Sequence, residues 1–141
     1  MVFYVMFLCA QASVWPSLAL GLERYETCVE VGVAAHDGGV DPAVAVALSY
    51  TESRFNREAV SSRGAHGPLQ VKPVFHCDSG RFEGCDLIKS GIGAIVRYQK
   101  RYGSKWLCHW NSGNQCYRRS RAFAKLVQKR IRVLKRPRGA N

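Results

Sequence analysis

The 141-residue sequence predicts one mainly α-helical domain with a small β or irregular insertion. Three observations carry that prediction. Four stretches read as helices, three from apolar residues three to four apart and one from a continuous apolar run behind a helix cap. Between residues 56 and 73 that patterning gives way to Ser, Gly and Pro, the composition of turns and short extended pieces. The length suits a single core, and no repeat or low-complexity tract divides it.

The elements follow in order. Residues 2–10 form a short apolar run, and Ala10-Gln11-Ala12 behind it has the small-x-small form of a cleavage site; Ser17-Leu18-Ala19 is a second candidate. The run is short for a bilayer span, Pro16 interrupts it as a helix, and no Lys or Arg precedes it. Residues 1–21 are therefore expected to be a leader for export, with a buried or membrane-arrested segment as the alternative. Residues 22–136 are expected to form the functional domain, and residues 137–141 a basic flexible tail.

Leu22, Tyr25, Val29 and Val33 lie at helical spacing with Glu23, Glu26 and Glu30 outside them, and His36-Asp37-Gly38-Gly39 ends that helix. Asp41 supplies a cap oxygen and Pro42 suits the first helical position, which starts a central helix. This helix carries the apolar residues 43–48 and delivers Glu52 and Ser53 at its C-terminal end. No helix is expected between residues 56 and 73, where a small hairpin would fit. Asp86 then caps a helix over residues 87–102, with Ile88, Ile92, Ile95, Val96 and Gln99 along one side. Gly91 and Gly93 within it read as close helix-to-helix contacts. A short helix over 106–110 breaks at Asn111-Ser112-Gly113-Asn114. The last helix, residues 120–134, is expected to point Phe123, Leu126, Val127, Ile131 and Leu134 inward, with Pro137 and Gly139 ending it.

Charge is strongly polarised. Residues 1–86 carry six Lys or Arg against ten Asp or Glu, whereas residues 87–141 carry fifteen Lys or Arg and no acid. Such a field steers the protein toward polyanions, whether nucleic acid, anionic membrane or acidic wall polymer. Cys77 with Cys85, and Cys108 with Cys116, bracket short loops that disulfides could close in an oxidising compartment; Cys9 with Cys28 completes three pairs, though spacing alone does not fix connectivity. The four histidines lack metal-ligand spacing, so no metal or cofactor is expected.

Glu52 is the sharpest chemical feature. A carboxyl near a helix C-terminus faces the negative end of the macrodipole, and apolar neighbours remove the water that would stabilise its charge. Both effects raise its pKa toward the range a general acid needs, with Ser53 and Gln70 available to orient it or a substrate amide. The alternative is a surface Glu paired with Arg54 or Arg57.

The run Glu52-Ser53-Arg54-Phe55-Asn56, then Ala59-Val60-Ser61, then Gly64-Ala65-His66-Gly67-Pro68-Leu69-Gln70, and later His109-Trp110-Asn111-Ser112-Gly113-Asn114, resembles the soluble lytic transglycosylase (SLT) family of the goose-type lysozyme superfamily. The resemblance covers roughly residues 40–132. It implies a lysozyme-like α+β single domain, with Glu52 as the single catalytic acid/base and Ser53 as its polar neighbour. Gln70 and Asn111 fall where the family lines its saccharide groove, and Trp110 and Tyr117 are assigned to substrate binding beside them. Leu69 replaces a Met of the family, and Trp110 and Ser112 replace Tyr and Ala around Asn111. Phe123 stands where the family has a supporting Tyr, a role that could pass to Tyr117.

The implied reaction cleaves the β-1,4 bond between N-acetylmuramic acid and N-acetylglucosamine in peptidoglycan. No partner carboxylate for Glu52 is evident, since Asp78, Glu83 and Asp86 read as surface and capping residues. The substrate N-acetyl group would then assist, giving a 1,6-anhydro product. A hydrolytic goose-type lysozyme is the alternative from the same superfamily, and a basic binding component of a virion or secretion machine is the alternative from another class. Tyr98, Tyr102, Trp106, Trp110 and Tyr117 interleave with Lys100, Arg101, Lys105, Arg118 and Arg119, a pattern compatible with nucleic acid. The expected partner is nevertheless the glycan strand of peptidoglycan, acted on by an exported monomer in the periplasm, outside the cell, or in association with a phage virion or secretion apparatus.

Overall fold

Helix α3, Pro42–Ser53, runs through the middle of the structure, a computed structural model that describes residues 1–13, 15 and 21–136. It packs against α1 (Val2–Ala12), α2 (Leu22–Asp37) and α7 (Arg118–Leu134). The remaining elements are α4 (Pro73–His76), α5 (Leu87–Tyr102), a 3-10 turn (Gly103–Lys105) and α6 (Trp106–Ser112). The second cleavage candidate at Ser17-Leu18-Ala19, the Pro16 interruption and the tail with Pro137 and Gly139 lie outside the described residues.

The apolar run in α3 is continuous because the helix is enclosed by three neighbours. Ala43, Ala45, Val46, Ala47 and Leu48 are all fully buried, so no face of that stretch has to be polar. Asp41 caps the helix, its Oδ1 accepting the Ala43 N–H at 2.9 Å. Asp86 does the same for α5, accepting from the Lys89 N–H at 3.0 Å.

Residues 2–12 form α1, a helix packed against α2 and α3. Val5, Leu8, Cys9 and Ala12 of α1 are fully buried, and the Cys9–Cys28 disulfide ties α1 to α2. Gly32 of α2 lies directly beneath Val5, where any Cβ would collide with the valine methyls. Disulfides also join Cys77 to Cys85 and Cys108 to Cys116. Among the described residues no helix is long and apolar enough to cross a membrane.

The insertion takes the irregular of its two expected forms: isolated bridges join Val60 to His66 and His66 to Val71, with no strand among the described residues. Gly64 and Gly67, at φ +81° and +79°, turn the chain on either side of His66 before a second consecutive pair can form. Three other expectations, on Gly91, Gly93 and Leu126, need correction. Gly91 does mark a close approach, but to Leu69 of the insertion and not to a helix; a Cβ there would stand 2.6 Å from the Leu69 Cδ1. Gly93 meets nothing closer than the Arg97 side chain of its own helix. On α7 Val127 and Leu134 are buried and Phe123 and Ile131 pack partly buried against the core as expected, with Ser120 and Ala124 also buried, but Leu126 is 42 % exposed, one residue out of phase.

Candidate active site

Glu52 sits on the penultimate residue of α3, and helix phase decides what it faces. At about 100° per residue, Ser49 and Ser53 share one edge, Thr51 lies roughly opposite, and Glu52 falls between the two. The serine edge is bound to the insertion: Ser49 Oγ donates to the Pro68 carbonyl at 3.0 Å, and Ser53 Oγ donates to the same carbonyl at 2.7 Å. The threonine edge is bound to α7, where Arg130 Nη1 donates to Thr51 Oγ1 at 2.9 Å and its guanidinium lies 4.6 Å from the Tyr50 ring centroid. Glu52 therefore points between the Pro68 turn and α7.

Burial pushes its carboxyl up from the usual 4.5 to about 7. The surface-pair alternative does not hold in the structure. Arg57 is bound to Glu30 at 2.6 Å, and no ion pair among the described residues involves Glu52. The side chain is largely buried while part of it stays open to solvent. Such a group can hold a proton near neutral pH and release it to a bound leaving group.

Two contiguous cavities bring together most of the other predicted residues. One of about 230 Å³ is walled by Arg63, Gln70, Tyr98, Trp110 and Asn111. The other, about 540 Å³, is walled by Arg63, Asn111, Tyr117, Arg119 and Phe123. They share Arg63, Asn111 and Ser112 and so form one groove. Neither wall includes Glu52 or Ser53; the groove lies between the elements that flank Glu52, with Gln70 from the insertion and Phe123 from α7. A further cavity, between α2 and α5, is lined by Glu30, Ala34, Asp37 and Ile92 and touches none of the predicted residues.

The polar side chains have more specific duties than sequence suggests. Ser53 has one hydroxyl proton, and its shortest acceptor is the Pro68 carbonyl, so it anchors the turn instead of orienting the acid. Gln70 uses both amide hydrogens on backbone carbonyls, Ala59 at 3.1 Å and Gly67 at 3.0 Å, which leaves its Oε1 to accept from a ligand. His109 Nδ1–H donates to the Gly113 carbonyl at 2.7 Å and the ring stacks on Tyr102 at 3.7 Å, holding the end of α6 beneath Asn111. Tyr117 is the N-cap residue of α7 and is exposed at the groove rim.

The basic-aromatic interleaving resolves mainly into packing. Trp106 is buried, Trp110 meets Tyr98 edge-on at 5.3 Å, and Tyr98 leans on Tyr102 at 5.7 Å. These rings spend their faces on each other, which leaves few to stack on bases. Tyr98 lines the groove, whereas Arg63 and His76 were not anticipated there; those two reach it from the insertion and from α4, so no local motif announces them.

The family model of the transglycosylase SLT domain matches residues 31–131, from α2 to near the end of α7. The chain belongs to the SLT transglycosylase domain family. The matched span holds Glu52, Ser53, Gln70, Trp110, Asn111 and Tyr117, and leaves α1 outside. Comparisons with curated proteins and with solved structures gave no match. SLT domains carry transglycosylase-type activity on peptidoglycan, outside the cytoplasm, and the mainly helical architecture here suits a lysozyme-like fold.

Proposed function

We propose that this SLT domain is an exported peptidoglycan lytic transglycosylase in which Glu52 is the only acid/base. The observation that carries the reading is a buried carboxyl without an ion-pair partner, held near pKa 7 and aimed between the insertion and α7. Protonated Glu52 gives its proton to the glycosidic oxygen as the C1–O bond breaks, and the N-acetyl oxygen of the muramyl residue closes on C1. The carboxylate then takes the proton of the muramyl 6-hydroxyl, whose oxygen attacks C1 and releases the acetamido group. The product carries a 1,6-anhydro ring, Glu52 recovers its proton, and no water is consumed.

A partner carboxylate is what most glycosidases use, as nucleophile or base. The proposed route needs none, since the substrate N-acetyl group takes that part. Gln70 Oε1, Asn111 and the exposed part of Trp110 supply polar and apolar contacts to the sugars, and Tyr117 stands at the rim. Digestion of purified sacculi followed by mass spectrometry of the soluble muropeptides tests the reading. Anhydro ends are expected, and Glu52→Gln should abolish release while keeping the fold. Reducing ends would replace the lyase with a hydrolase, and full release by the Gln variant would remove Glu52 from the chemistry.

A further inference from the structure

Helix α1 is apolar on nearly every side but buried on one. Val5, Leu8, Cys9 and Ala12 enter the core, and the Cys9–Cys28 disulfide fixes that face. At about 100° per residue the opposite face carries Phe3, Met6 and Ala10, with Val2 and Tyr4 at its margins. Phe3 is 86 % exposed, and Met1, Val2 and Met6 are open beside it. The helix contains no charged residue. A surface helix of a globular domain turns polar residues outward, so an apolar outer face calls for a second apolar partner. At about 16 Å the helix is too short to cross a bilayer.

The end of α7 supplies charge next to this face. Helix α1 packs against α7, and Tyr4 lies within electrostatic reach of the Lys135 ammonium at the α7 C-cap. Arg132, Lys135 and Arg136 are all exposed around this end, and α7 carries no acid. Asp41, which belongs to the same corner, is already bound by Lys135 at 2.7 Å. Neither Arg132 nor Arg136 joins an ion pair among the described residues. An apolar surface beside free cations matches the interface of an anionic bilayer, whose acyl chains take the first and whose headgroup phosphates take the second. A nucleic acid offers phosphates but no apolar layer for Phe3 and Met6.

We infer that the outer face of α1, together with the basic end of α7, docks this domain on an anionic membrane surface without crossing it. The docking fixes an orientation. Tyr4 and Lys135 place the exposed tip of α1 at the Asp41 end of α3, and the chain leaves α1 toward the other end, where Trp15 packs on Tyr50. Glu52 stands at that other end, roughly 16 Å along the axis from Asp41. The docked domain therefore turns Glu52 away from the bilayer, toward a wall polymer lying above it; this last step alone rests on the proposed action on peptidoglycan.

Flotation of the disulfide-bonded chain with vesicles of phosphatidylcholine alone, or with about one third phosphatidylglycerol, measures docking without any cleavage. Binding is expected on the anionic vesicles and should weaken as salt is raised. Phe3→Ser with Met6→Ser should weaken it about tenfold. Arg132→Gln with Arg136→Gln should weaken it about twentyfold, from about fivefold for each cation. All four side chains are exposed, so both double variants should melt like the wild type and release as much glycan from soluble strands. No binding to either vesicle, equal binding to both, or binding that survives the Phe3 and Met6 changes would overturn the inference. A dimer in sedimentation velocity that those changes abolish would overturn it too, by giving the face to a second copy of the chain. Intact vesicle binding without glycan release would overturn the transglycosylase reading and leave the docking standing.

Discussion

Replacing Glu52 by Gln should make the protein more stable at alkaline pH, although it removes the proposed acid. The folded carboxyl stands at about 7 against the usual 4.5, a difference worth about 3 kcal/mol between the two protonation states. Below the lower value both folded and unfolded chains are protonated and the residue is neutral in the balance. Between the two values the unfolded chain has lost the proton while the folded chain keeps it, so stability falls as pH rises. Above the upper value the whole penalty applies. Gln is close in shape and never ionises, so wild type and variant should match near pH 4 and separate by about 3 kcal/mol near pH 8. For a domain of this size that corresponds to a rise in Tm of roughly 10 °C. Paired urea titrations across this range, with disulfides kept oxidised, give the difference directly. An offset that does not change with pH would show that Glu52 titrates normally and would refute the argument for a buried acid.

The same burial sets the activity profile: the rate should fall about tenfold per pH unit above 7, as the protonated fraction of Glu52 declines. Ser53→Ala removes one of two hydroxyls on the Pro68 carbonyl, while Ser49 remains bound; the expected loss is about 1 kcal/mol, with KM rising more than kcat falls as the Gln70 turn loosens. Cys9→Ser opens the link between α1 and α2, whose cysteines are 19 residues apart, at an expected loss of about 3 kcal/mol in denaturant titration. Intact-mass measurement of the exported protein should find residues 2–12 retained, because their removal would uncover the core beneath Val5 and Leu8.

Local features were legible in the sequence, and cross-chain ones were not. Asp41, Asp86 and Gly38 act within a few residues of themselves, so the limits of α2, α3 and α5 follow from composition. Glu52 was legible as an acid at the end of an enclosed helix. Its lack of a cation was not, since Arg57 was within reach until Glu30, 27 residues away, engaged it. Ser53 and Gln70 were read as contacts to the acid or the substrate, yet their donors go to carbonyls 15, 11 and 3 residues distant. Leu126 differs for another reason: a hydrophobic residue need not be buried, and the phase of α7 is set by Ala124, Val127 and Leu134.

The backbone around Glu52 explains how one carboxyl can be both buried and reachable. Arg54, Phe55 and Gln70 are the non-glycine residues at positive φ among those described, at 52°, 60° and 52°. Two follow the Glu52-Ser53 pair directly and the third lines the groove. Each such residue costs about 1 kcal/mol or more and persists only where its surroundings hold it. Those surroundings are visible: Arg24 Nη1 donates to the Arg54 carbonyl at 3.0 Å, Phe55 is fully buried 6.1 Å from the Tyr50 ring, and Gln70 is tied by both amide hydrogens. Had α3 continued one more turn, residue 56 would stand over residue 52 on the same face and cover its carboxyl. Instead the chain turns sharply at Arg54 and Phe55 and drives Phe55 into the core, so no further helical turn stands over Glu52. Under the proposed role of Glu52, the strain separates two requirements that would otherwise conflict, an apolar surround that raises the pKa and a side chain left partly open to solvent.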